Sequence, residues 1–167
     1  MNREDLVELL RAGIPGPGGT WADLGSGEGA FTAALVELLG PSGQVVAVDR
    51  DRAALGRVPP PAMTLHADFT RPLELPPLDG VLMANSLHFV RRKEPVLALV
   101  HGYLKPSGRL LVVEYDVDRG NPWVPHPFSF ETWKRLAVEN GFGEPRLIGR
   151  HPSQWLKGLY SAVSTRQ

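Results

Sequence analysis

The stretch Thr20-Trp21-Ala22-Asp23-Leu24-Gly25-Ser26-Gly27-Glu28-Gly29-Ala30 decides the fold. Its first five residues make a short, largely apolar run of strand type, and three glycines at alternate positions follow at once. Glycine takes positive φ without steric cost, so the backbone can turn sharply here and approach a ligand closely. From Ala30 to Leu39 the composition is helical, and Gly40-Pro41 is a stop signal. A helix that starts directly after such a turn offers free N–H groups and a positive dipole end, suited to a carboxylate or phosphate.

Outward from this unit the same alternation continues. Val45-Val46-Ala47-Val48 is a β-branched run of the kind buried on both faces of a sheet. A short helix near Arg52–Gly56, a strand at Met63–His66, a strand at Gly80–Ala84 and a helix at Glu94–Tyr103 follow. The turn Lys105-Pro106-Ser107-Gly108 leads into a strand at Arg109–Tyr115. Ser129 caps a helix from Phe130 to Asn140 that ends at Gly141, and Pro145–Ile148 and Leu159–Val163 are the last strand candidates. Before all of these, residues 3–12 read as a short helix with Leu6, Leu9 and Leu10 on one face.

Strands alternating with helices predict a doubly wound α/β fold with a mostly parallel, Rossmann-like sheet. Ligands then bind beyond the carboxyl ends of the strands, where strand order reverses. The length, 167 residues, fits one domain over 1–167, with 1–18 a short N-terminal helix and linker.

Composition narrows the chemistry. There are 18 Lys plus Arg against 18 Asp plus Glu, so no net charge marks a nucleic-acid or anionic membrane partner. The one dense basic run, Arg91-Arg92-Lys93, reads as a solvated helix start. With no cysteine, disulfides, zinc ribbons and thiol nucleophiles are excluded. The five histidines show no close pair at metal-ligand spacing, so no metal is expected. An acidic start without a following apolar stretch is not a signal peptide, and no run reaches a membrane span, so a cytoplasmic location is expected.

Asp49 closes the second strand about 20 residues after the glycine turn, where an acid commonly takes two ribose hydroxyls. Together with the loop it points to a cofactor containing adenosine. Written Gly25-x-Gly27-x-x-Ala30, the loop satisfies the dinucleotide fingerprint. Written Asp23-x-Gly25-x-Gly27-x-Gly29, it resembles the first motif of the class I S-adenosylmethionine-dependent methyltransferases of small-molecule type.

Further resemblances decide between the two. Val46-Ala47-Val48-Asp49 is similar to that family's second motif and His66-Ala67-Asp68-Phe69 to its third. Gly80 to Val90 resembles its fourth strand with a Leu-His extension. Leu104 to Val113 resembles its turn into strand five, with Ser107 where Gly is usual. The likeness runs over about residues 20–115, and the tail fits the family's antiparallel C-terminal edge.

The resemblance implies S-adenosylmethionine as cofactor and an assignment of residues. Asp23 would lie near the methionine end, with Gly25, Ser26 and Gly27 lining the cofactor. Asp49, followed by Arg50, would take the ribose, while Ala67, Asp68 and Phe69 would hold the adenine. Asn85 would face the methionine moiety.

In methyl transfer, positioning of the acceptor in line carries most of the burden, and a base is needed only for some acceptors. His88 is the candidate base, with a packed helix-start histidine as the alternative. Tyr115, Trp123 and His126 are substrate candidates. The segment Asn121–Phe128, with three prolines, reads as a substrate-facing lid or as a rigid packed loop. The Asn-Pro-Pro-Tyr type signature of amino-methylating nucleic-acid enzymes is absent, since Asn85-Ser86-Leu87-His88 stands there. The expected activity is therefore transfer to a small molecule, without nucleic acid or membrane and with a homodimer left open. One alternative stays open, a cofactor-binding but inactive scaffold or regulatory module; a nucleotide-dependent oxidoreductase is disfavoured by the motifs around Asp68 and Ser107.

Overall fold

A computed structural model describes residues 1–167. Five strands, β1 (Gly19–Leu24), β2 (Gly43–Asp49), β3 (Met63–His66), β4 (Leu78–Ala84) and β5 (Leu104–Tyr115), run parallel. They alternate with α2 (Ala30–Leu39), α3 (Arg52–Leu55) and α4 (Glu94–Tyr103), and α1 (Arg3–Arg11) precedes them. After β5 come α5 (Phe130–Glu139), β6 (Arg146–His151) and β7 (Leu159–Thr165). The sheet order is β3-β2-β1-β4-β5-β7-β6, so the order reverses between β1 and β4. This is the expected doubly wound, mostly parallel sheet with an antiparallel C-terminal edge.

The antiparallel edge is a pair. The C-terminal strand β7 pairs antiparallel with β5, and β6 pairs antiparallel with β7 and lies outermost. It follows that β6 runs in the same direction as β5, and the β6–β7 connection lies at the carboxyl edge of the parallel strands. Both strands run past the predicted ends, because ladder pairing carries β7 as far as Thr165 opposite Arg109.

Strand alternation divides the interior into two layers. Ala22, Leu24, Leu110 and Val112 face α4 and α5, whose Val96, Leu97, Val100 and Trp133 complete that core. Trp21, Leu111 and Val113 face the other way, against Leu6, Leu9 and Leu10 of α1 and Leu35 and Leu39 of α2. The N-terminal helix is thus structural, and it is fixed by a capping box between Asn2 and Asp5. Gly80 is needed at its place in β4, because a Cβ there would run into the Trp21 indole.

Two expectations about local structure are corrected. The Lys105–Gly108 turn lies within β5, which already pairs at Leu104 with Leu78. Ser107 adopts the left-handed conformation (φ 62°) usually left to glycine. Lys93 is not solvated. It is buried at the start of α4, and its Nζ donates to the carbonyls of Val90 (2.7 Å) and His126 (2.9 Å). Burial pushes its pKa below the usual lysine value.

Candidate active site

At the switch point between β1 and β4 the glycine turn is held by backbone bonds. The N–H groups of Gly25 and Ser26 donate to the Val48 carbonyl at 2.8 and 3.0 Å, tying the loop to the end of β2. Gly25, Gly27 and Gly29 all have positive φ. A Cβ on Gly25 would strike Ser86, whereas one on Gly27 would meet nothing within 4 Å. One glycine therefore packs against β4's extension, and the other opens onto free space.

That space is a cleft of about 440 Å³. Gly25, Gly27, Asp49, Arg50, Ala67, Asp68, Phe69 and Asn85 line it, all of them candidates from the sequence. Thr70, Ser86, Phe89 and Val90 line it as well and were not singled out. The Ser86 hydroxyl donates to the Leu24 carbonyl (2.7 Å), joining β4's end to β1's. Asp68-Phe69-Thr70 carried a readable signal, since Asp followed two residues later by a hydroxyl residue forms a local turn. The Thr70 N–H and hydroxyl both donate to Asp68 Oδ1, at 2.9 and 2.7 Å, and hold its carboxyl below the usual range.

Asp49 does more than wait for hydroxyls. Its Oδ2 accepts from the Gly27 N–H and its Oδ1 from the Asp51 N–H, both at 2.8 Å. Each oxygen keeps a second lone pair, so sugar hydroxyls can still donate to it. The expectation of free N–H groups in the loop is corrected for Gly27, whose donor is spent on Asp49.

Asp23 and Ser26 do not line the cleft. Asp23 is only 1% exposed and lies beneath the loop, where its Oδ2 accepts from the Thr32 hydroxyl at 2.6 Å. Its Oδ1 is buried without a partner. Burial, with the nearby Asp49 charge adding to it and Thr32 opposing it, pushes this carboxyl up to about 7. Ser26 turns its hydroxyl onto the adjacent Gly27 carbonyl.

The four substrate-side candidates also lie off the cleft wall. His88 is 3% exposed, on a short 3-10 turn over Leu87–Phe89. Its Nδ1 meets Glu114 Oε2 at 2.7 Å, and its N–H donates to Oε1. Glu114 is 0% exposed, and sequence reading missed it because it is an acid inside an otherwise apolar strand. Tyr115 is half-buried beside the His88 ring, their centroids 6.0 Å apart.

The Asn121–Phe128 segment is braced by hydrogen bonds along its length. Asn121 Oδ1 accepts from the N–H groups of Trp123 and Val124, the His126 N–H donates to the His88 carbonyl, and the Tyr160 hydroxyl donates to the Phe128 carbonyl. His126 is held by its backbone, and Trp123 is 74% exposed.

With this geometry in hand, similarity to known proteins decides the family. The model of a methyltransferase domain family matches residues 22–110, more than half of the chain. The chain belongs to that family. It is a class I S-adenosylmethionine-dependent methyltransferase domain.

The ubiquinone/menaquinone biosynthesis C-methyltransferase of Ectopseudomonas mendocina is 34% identical over 157 residues, covering 83% of this chain and 61% of its own. The ribosomal RNA small subunit methyltransferase H of Verminephrobacter eiseniae is 39% identical over 155 residues, 88% of this chain and 45% of its own. The domain thus spans about half the length of these curated relatives. In fold it is similar to the Burkholderia thailandensis 1,6-didemethyltoxoflavin-N1-methyltransferase. That likeness has TM-score 0.76 and 18% identity, over 99% of this chain and 78% of the other.

The cleft of this methyltransferase domain fits the cofactor. Space opens over Gly27, a carboxylate stands at the end of β2, and the buried Asn85 Oδ1 has no partner in the chain. Asn85 is also held at φ 53°, a conformation that costs a non-glycine residue energy and is common at ligand sites.

Proposed function

We propose that the domain holds S-adenosylmethionine along the switch-point cleft and transfers its methyl group to a small-molecule acceptor on the β4–β5 side. The observation that carries this reading is the partnerless Asn85 amide oxygen beside the open space over Gly27. A donor such as a cofactor ammonium would satisfy that oxygen.

In this reading Asp49 and the neighbouring Arg50 take the ribose, and Ala67, Asp68 and Phe69 the adenine. The methionine end belongs to Gly25, Gly27 and Asn85, with Ser26 within the loop and Asp23 beneath it. When bound, the cofactor supplies a methyl group on a positively charged sulfur, displaced in line by the acceptor. The chain's part is positioning and exclusion of water, for which the apolar flank of Phe89 and Val90 is suited. With Nδ1 donating to Glu114, Nε2 of His88 is the nitrogen left to accept a proton from an acceptor hydroxyl. Tyr115, Trp123 and His126 stand on the same side as acceptor-facing candidates.

Two considerations support a small acceptor. One curated relative is named for quinone biosynthesis, and the balanced net charge argues against a phosphate-backbone footprint. Titration calorimetry with S-adenosylmethionine and with NADH, followed by a donor-turnover assay over a metabolite panel, tests the proposal. Binding of the sulfonium compound alone, with methylation of a panel member, is the expected result. Binding without turnover favours an inactive scaffold, and NADH binding overturns the assignment.

A further inference from the structure

Three large aromatic side chains are left in solvent at one end of the molecule. Phe89 is 58% exposed, Trp123 74% and Trp155 75%. Topology puts the segments that carry them at one edge of the sheet. Phe89 follows the carboxyl end of β4, Trp123 follows that of β5, and Trp155 lies between β6 and β7 at the same edge of the sheet. In the order β4-β5-β7-β6 these are consecutive places along one rim. Neighbouring strands are only about 5 Å apart, so the three segments are adjacent.

The segments are also joined. The His126 N–H donates to the His88 carbonyl, next to Phe89, and the Asp116 N–H donates to the Gly158 carbonyl at 2.9 Å. Trp123 stands on a turn pinned by Asn121, and the Trp155 N–H is held by the Ser153 hydroxyl at 3.1 Å. A Trp left exposed on a rigid turn loses little freedom when it enters a partner, which is the behaviour of an anchor.

Cations outnumber unpaired acids at this rim, although the chain is neutral. Arg91, Arg92, Arg119 and Lys157 are exposed beside the aromatics, and none forms an ion pair. The acids nearby are occupied. Asp116 pairs with Arg150 at 2.5 Å, and Asp118 accepts from Ser129 and Thr132 at the start of α5. Glu94 is the exception, at the first turn of α4. Exposed Trp and Phe with unpaired Arg and Lys fit the interface of an anionic bilayer, where rings sit among headgroups and cations meet lipid phosphates.

We infer that the rim Phe89–Trp123–Trp155 with Arg91, Arg92, Arg119 and Lys157 docks this domain on an anionic lipid surface. Phe89 also lines the cleft, so docking would turn the mouth of the cleft to the membrane and let an acceptor dissolved in lipid enter it. The docking itself does not depend on the acceptor or on cofactor binding. Single-stranded RNA also stacks on aromatics among cations. A strand threaded along the cleft would run its phosphates past Asp49 and Asp68, whereas a lipid surface would meet only the rim.

The test is flotation of the full chain with vesicles of phosphatidylglycerol and phosphatidylcholine, and with phosphatidylcholine alone, at low and high salt. Binding to the anionic vesicles is expected, weakening at least tenfold in high salt. The paired substitution Trp155→Ser, Lys157→Gln should weaken it at least tenfold without changing affinity for S-adenosylmethionine. Should that variant fail to fold, Arg91→Gln with Arg92→Gln gives the same reading. In the unsubstituted chain, vesicles should also shift tryptophan emission to the blue. No binding to anionic vesicles, binding indifferent to both pairs, or tighter binding to a single-stranded RNA oligomer than to vesicles would each overturn the inference.

Discussion

The two ends of the cleft are built differently. On the β1–β3 side the site is held through backbone N–H groups: Gly25 and Ser26 on the Val48 carbonyl, Gly27 on Asp49, Thr70 on Asp68. On the β4–β7 side it is held by side chains that reach across segments, His88 to Glu114, Lys93 to the His126 carbonyl, Tyr160 to the Phe128 carbonyl. A cofactor common to a whole family needs a preformed cradle with little reorganisation. The acceptor side can vary only if its loops are separate units braced against one another.

The largest expected effect tests how buried the cradle's floor is. Asp23 has a folded pKa near 7 against 3.8 in the unfolded chain, so its contribution to stability is full below pH 4 and lost as pH rises through 7. Asp23→Asn keeps an acceptor for Thr32 and removes that loss. At pH 8 the variant should be more stable by up to ~4 kcal/mol, a difference vanishing below pH 4. Urea denaturation across pH measures it, and parallel curves for the two proteins would refute the buried-acid account.

Next comes the sugar-binding acid. Asp49→Ala should weaken S-adenosylmethionine binding about 100-fold, or about 2.7 kcal/mol. It removes the ribose acceptor and also frees the Gly27 loop. Calorimetry that returned a change below threefold would remove Asp49 from the cradle.

Glu114→Gln should cost about 2 kcal/mol of stability, because it disrupts the two buried contacts that Glu114 makes with His88. Cofactor affinity should stay within threefold, since Glu114 does not line the cleft. A parallel loss of cofactor affinity would erase the division between the two ends. If His88 accepts the acceptor's proton, the same variant shifts the pH profile of turnover, which a purely structural role would not do.

Trp123→Ser is the smallest. An exposed side chain on an already pinned turn should change stability by less than about 0.5 kcal/mol in thermal or urea unfolding. A larger cost would mean that Trp123 packs in solution.

Strand and helix positions were legible because apolar runs, glycine turns and Pro stops are local signals. Met63–His66 and Glu94–Tyr103 match their predicted bounds. The cleft residues were legible for the same reason: they close strands at a switch point, and a strand's end is visible in the chain. Glu114 was not legible, since a single acid in Leu-Leu-Val-Val-Glu-Tyr reveals its purpose only when β4's extension brings His88 to it. Lys93 read as a solvated charge because its acceptors, Val90 and His126, include one 33 positions away.

The amino-acid sequence by itself determined the alternation of strands and helices, the glycine turn and the strand-end acids at 49 and 68, because each shows in residues within a few positions of one another. Tertiary structure alone decided the burial of Asp23, the His88–Glu114 pair and the gathering of Phe89, Trp123 and Trp155 on one rim. Burial and proximity across the sheet depend on strand order, and strand order is written in no single stretch of the chain.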